Sequence, residues 1–145
     1  MYWPFLRKLE VLLFTSLIIA IPLFAWKILE LAHGQKQLYQ VATMLVNDLR
    51  HSQSLARELN DSLVLKCQRK ESLDVSYVLI YNHDKSHVQE IRMPFDINVT
   101  GGGIINNTGL PSDNIHFDLF LGHKKLDIDF YKDGNINISK IQSVK

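Results

Sequence analysis

Apolar and polar positions divide the chain into three stretches of different period. Val11 to Ala25, VLLFTSLIIAIPLFA, carries no charge. Tyr2, Trp3, Phe5, Leu6 and Leu9 extend its apolar character on one side, and Trp26, Ile28 and Leu29 on the other. From Lys27 to about Asn60 there is no proline and one glycine, Gly34. Here Leu38, Val41, Ala42, Leu45, Leu49, Ser52, Ala56 and Leu59 recur at steps of three and four, the stripe of an amphipathic helix. Lys36, Gln40, Asn47, Arg50, Glu58 and Asp61 fall on the opposite side. A hydrophobic half-helix is thus expected to run into an amphipathic half-helix.

After Asn60 the period changes to alternation. Ser62–Cys67 reads as a strand, Gln68–Asp74 as a polar loop, and Val75–Tyr81 as a strand rich in β-branched and aromatic residues. Asn82–His87 is turn chemistry, Val88–Met93 alternates up to Pro94, and Phe95–Thr100 alternates strictly. Gly101–Gly102–Gly103 reads as a flexible break, a bulge or wide turn. It is not a phosphate loop, because no Lys-Ser/Thr follows it. Ile115–Leu121, Leu126–Tyr131 and Asn135–Ser139 then form a meander whose turns are Gly122–Lys125 and Lys132–Asp133–Gly134. Strands with one apolar face need cover, and the amphipathic helix supplies it. The expected class is α+β: a long N-terminal helix packed on a small antiparallel β-sheet.

Charge narrows the function classes. The 145 residues carry a net charge of +1. Beyond Ala25, the span to Lys70 is +3 and the remainder −3, so no dedicated nucleic-acid binder's basic face is indicated. The single cysteine, Cys67, excludes an intramolecular disulfide and a Cys-based zinc site, and its apolar setting reads as a packed strand position.

The uncharged stretch admits three readings: a cleaved secretory signal, a retained anchor, or a buried core helix. The cleavage region Leu23–Phe24–Ala25 has large residues where small ones are wanted. The fifteen uncharged residues are short for a span, but the flanking apolar residues lengthen it, and Trp3 and Trp26 suit the interfaces. Continuity with the amphipathic half favours the anchor. Arg7 and Lys8 place the N-terminus on the cytoplasmic side. Pro22 removes a backbone donor and is expected to kink the helix near Ile18.

The polar residues give no enzyme signal. His83 and His87 flank Asp84 in a turn and read as solvated residues. Asp127 and Asp129 alternate with Leu126, Ile128 and Phe130 and read as the polar face of a strand. No catalytic, cofactor-binding or metal-binding residue is assigned.

The order of parts nevertheless resembles a family. Leu9–Glu10–Val11–Leu12–Leu13, opening a short apolar helix, resembles the N-terminal signature of type IV pilins, in which proline within the apolar run is also typical. Asp48–Leu49–Arg50–His51–Ser52–Gln53–Ser54–Leu55–Ala56–Arg57 resembles a stretch of the GspH/FimT-like pseudopilins and of the ComGD-like competence minor pilins. Ser62–Leu63–Val64–Leu65 matches the strand that follows, and Phe130–Ile136 is similar to the final hairpin. Small size and a missing disulfide favour the ComGD-like group. Aligning Glu10 on the family glutamate puts the prepilin peptidase cut between Phe5 and Leu6, with Phe5 where the family has glycine and Arg7–Lys8 where apolar residues are usual.

The resemblance implies residues 1–5 as leader peptide, 6–26 as the transmembrane and assembly half of the helix, 27–61 as its amphipathic half, and 62–145 as the sheet domain. It implies Glu10 as the subunit-assembly residue and Pro22 as the helix kink. It also implies a non-catalytic minor pilin without cofactor, held in the cytoplasmic membrane with its C-terminal domain outside and reaching the cell surface on assembly. Its partners would be other major and minor pilins, the membrane and prepilin peptidase, with DNA contacted only indirectly. The pilus would serve DNA uptake in transformation. The alternatives are a minor pseudopilin of a type II secretion system and an unrelated anchored extracellular binding module.

Overall fold

The computed structural model describes residues 3–70, 75–94 and 96–144, with side chains from Val11 onward. Helix α1 spans Trp3–Leu59 and includes Pro22 without a break. Two compact units are present, residues 1–34 and residues 35–145.

In the second unit the expected stripe is the buried face. Leu38, Ala42, Leu45, Leu49, Ser52 and Ala56 are fully buried and Val41 nearly so. Val46 joins them, whereas Leu59 is half exposed, contrary to the stripe pattern. The helix is already ending there. Asn60 N–H donates to the Arg57 carbonyl and Asp61 N–H to that of Ala56, with Asn60 in the left-handed region at φ 48°. That is the paired bonding of a Schellman cap with Asn in its left-handed position, and it turns the chain away before Leu59 can pack.

Eight strands follow: β1 (Leu63–Lys70), β2 (Val75–Tyr81), β3 (His87–Arg92), β4 (Asn98–Ile105), β5 (Ile115–Leu121), β6 (Lys124–Phe130), β7 (Ile136–Ile138) and β8 (Gln142–Ser143). All pairs are antiparallel, in the order β3-β2-β1-β4-β5-β6-β7, with β8 also against β6. Alternation sets one face against the helix. Leu63 and Leu65, Val78 and Ile80, Val99 and Ile105, Phe117 and Leu119, and Leu126, Ile128 and Phe130 join the helix stripe in one core. The architecture is α+β, compatible with a pilin-like fold.

Two local expectations are corrected. β1 continues through Lys70, because Gln68, Arg69 and Lys70 pair with Tyr77, Ser76 and Val75. Its polar sequence reflects a strand end with exposed residues, not a loop. The three glycines lie inside β4 rather than in a turn. Asn98–Gly102 pair with β5 and Gly102–Ile105 with β1, so Gly102 faces Lys66 on one side and His116 on the other. Gly101 and Gly102 take φ of +121° and +143°, and a Cβ on either would overlap a neighbouring strand's carbonyl oxygen, that of His116 or Leu65. Glycine therefore permits this strand to change partner without leaving the sheet.

Candidate functional site

Two features carry chemistry beyond the core, one in each unit. In the first unit, fourteen large apolar side chains from Val11 to Leu31 are each more than half exposed. The helix is long and apolar enough to cross a membrane. Residues 11–34 rise about 36 Å at 1.5 Å each, against a hydrocarbon core of about 30 Å. Its hydroxyls are satisfied internally: Thr15 Oγ1 donates to the Val11 and Leu12 carbonyls at 2.8 and 3.0 Å, and Ser16 Oγ to that of Leu13 at 2.8 Å. Such back-bonding removes polar groups that lipid could not solvate. Left in water, each of these side chains would forgo about 1.5–3 kcal/mol of burial. Such a surface is compatible with a single membrane-spanning segment.

The second feature lies on the sheet face turned away from the helix. The β5–β6 register sets His116 opposite Asp129, Asp118 opposite Asp127, and Phe120 opposite Lys125. His116 Nδ1 lies 2.6 Å from Asp129 Oδ1, and Nε2 lies 2.7 Å from Asp118 Oδ1. Ionised carboxylates only accept hydrogen bonds, so the doubly protonated ring is the form that satisfies both contacts at once. The bond to Asp129 raises its pKa; partial burial opposes this, and Asp118 adds to the rise. Burial pushes Asp118 upward, but its contacts with Lys125, Asp127 and His116 outweigh that and hold it below its usual value.

Lys125 Nζ sits 2.9 Å from Asp118 Oδ1 and 3.1 Å from Asp127 Oδ1. The second contact is an ion pair outside hydrogen-bond alignment, because Asp127 Oδ1 is buried without a hydrogen-bond partner. Ligand atoms of His116, Asp118 and Asp127 lie within 4.8 Å of one another, close enough to hold a metal ion. Lys125 bridges the same two carboxylates and brings the positive charge such an ion would bring. The arrangement is a salt-bridge network that ties β5 to β6.

The predicted residues distribute as follows. The side chains of Phe5, Leu6 and Glu10 lie outside the described residues, and Pro22 stands inside α1. Cys67 is half-buried against the core, and burial pushes its thiol up to about 12. His83 is exposed, and His87 opens β3 with its ring edge-on to Tyr81 at 5.7 Å. Asp127 and Asp129 lie on the polar face of β6, as their alternation indicates. His116 was missed. The strand Ile115–Leu121 placed it on the polar face, but only the register with β6 reveals its partners. No protein-family model, curated protein or solved structure matches the chain.

Proposed function

We propose that this chain is a non-catalytic minor pilin-like subunit of a competence pilus, acting in pilus assembly and thereby in DNA uptake. One observation carries the reading: a single helix has an apolar N-terminal part exposed all round and a later part whose stripe covers an antiparallel sheet. An ordinary signal peptide gives no reason for that continuity. In this reading the N-terminal half anchors the subunit in the cytoplasmic membrane and then packs among the corresponding helices of other pilins. The sheet domain stands outside and contacts neighbouring subunits.

Glu10 is the assembly residue in this reading. A carboxylate at the start of an apolar helix is costly in lipid unless it is paired, and the N-terminal amine of a neighbouring subunit is the partner the resemblance implies. Replacing Glu10 with Ala in the native cell tests it. Transformation and recovery of the protein in sheared surface filaments should both fall, while its level in the membrane stays constant. Unchanged transformation and filament incorporation would remove the assembly role. A loss of protein secretion with intact transformation would assign the subunit to a secretion pseudopilus instead.

A further inference from the structure

The outward face of the sheet also holds an open cavity of about 610 Å³ beside β1, whose lining shares no residue with the His116 network although Lys66 and His116 both register with Gly102. That volume is within the range of ligand sites, roughly 300–1,000 Å³. Its floor is one cross-strand row. Val64 of β1 is registered with Tyr81 of β2 on one side and with Ile104 of β4 on the other. Ile104 is 44% exposed and stands beside Val64 on this face. The walls are two loops, carrying Asn82 and Lys85 on one side and Asn106 on the other, and Lys66 lies one pair further along β1.

The lining is cationic and contains no carboxylate. Asp61 lies just outside it, accepting the N–H groups of Ser62 and His83, and Asp84 is the exposed neighbour of Lys85. Lys66 and Lys85 have no ion-pair partner among the described residues. Lys85 is presented by a built turn. Asn82 and Ser86 close it by mutual hydrogen bonds, Lys85 N–H donates to the Asn82 carbonyl, and Lys85 itself takes φ 62°. The Oδ1 atoms of Asn82 and Asn106 are engaged by Ser86 and Ser112, while their Nδ2 donors have no partner among the described residues.

We propose that this groove binds an extended acidic segment of a partner protein bearing an aliphatic side chain. The aliphatic side chain fits the Val64–Ile104 floor, the carboxylates meet Lys66 and Lys85, and the two asparagine amides suit peptide carbonyls. Charge complementarity selects an acidic occupant. The floor selects peptide over nucleic acid. Successive bases need a run of aromatic platforms, and here the floor is aliphatic at Val64 and Ile104, with Tyr81 already met edge-on by His87 and the smaller His83 ring on the loop. The proposal does not depend on the pilin reading.

The test uses the full chain in neutral detergent and a random heptapeptide display library. Selected peptides are then synthesised with a fluorophore and measured by anisotropy. Peptides combining Asp or Glu with Leu, Ile or Val should be enriched. The double variant Lys66→Glu/Lys85→Glu should weaken them by about tenfold or more, and Ile104→Ser should weaken them as well. Both variants keep the wild-type melting temperature, since the altered side chains lie on the solvated face. Absence of enrichment, basic consensus sequences, or affinity unchanged in both variants overturns the proposal. So does an oligothymidylate that occupies the groove in preference to the peptides, which would make it a nucleic-acid site.

Discussion

Gly102→Ala is expected to damage the fold far more than its single added methyl suggests. Gly102 is the residue at which β4 passes from β5 to β1, and it holds φ +143°. A non-glycine residue in such a region costs about 1–3 kcal/mol in backbone strain. The new Cβ also overlaps the carbonyl oxygen of Leu65, which is backbone in the adjacent strand and cannot rotate aside. Forcing the two strands apart costs a further 1–3 kcal/mol or so, as overpacking does. The sum is about 2–6 kcal/mol, and at roughly 4 °C per kcal/mol the midpoint should fall by on the order of 8–24 °C. Gly122→Ala is the control. Its φ is +57°, but nothing lies within 4 Å of an added Cβ. Only the left-handed cost of about 1 kcal/mol applies, or about 4 °C. Differential scanning calorimetry of the full chain in detergent reads both. Equal shifts for the two variants, or a Gly102→Ala midpoint within 2 °C of wild type, would refute the assignment of this glycine to a strand crossing.

The helix stripe makes a paired prediction: Leu45→Ala should destabilise the second unit by about 2–5 kcal/mol and Leu59→Ala by under about 0.5 kcal/mol, measured by urea unfolding. The contrast follows from burial, Leu45 being 0% and Leu59 49% exposed. His116 makes stability depend on pH. Its folded pKa is raised from 6.5, so its contribution is complete below that value and is lost as pH rises through the folded pKa. Because the ring is half exposed, the effect is discounted to roughly 0.2–1 kcal/mol per pair. His116→Asn should flatten the decline in melting temperature above pH 6.5, and an unchanged slope would place the titration elsewhere. The Cys67 thiol, raised to about 12 by burial, should resist iodoacetamide at pH 8 in the folded chain and react readily in urea. Fast alkylation of the folded protein would contradict its packing.

What the sequence made legible follows physical range. The buried stripe from Leu38 to Ala56 was readable because helical period and burial are local and agree over five turns. The β5–β6–β7 meander was readable because alternation and Asp133–Gly134 turn chemistry lie within a few residues of each other. At that turn Asp133 accepts from both Asn135 backbone and side chain, which lowers its pKa. The glycines of β4 misled because glycine signals a break locally, whereas here the cause is close approach by two strands from distant parts of the chain. The return of β4 to the far side of β1, past β2 and β3, carries no local signal at all. The same holds for the charged network: His116 and Asp129 are thirteen positions apart, and only the register brings them to 2.6 Å.

In the proposed subunit the apolar stretch stays joined to the amphipathic helix as one working element. Terminal sequencing of the protein recovered from native membranes decides whether it does. The recovered chain is expected to begin at Leu6, ahead of the whole apolar stretch. A chain beginning at Trp26 would contradict it, leaving a secreted sheet domain whose apolar stretch was only a signal peptide.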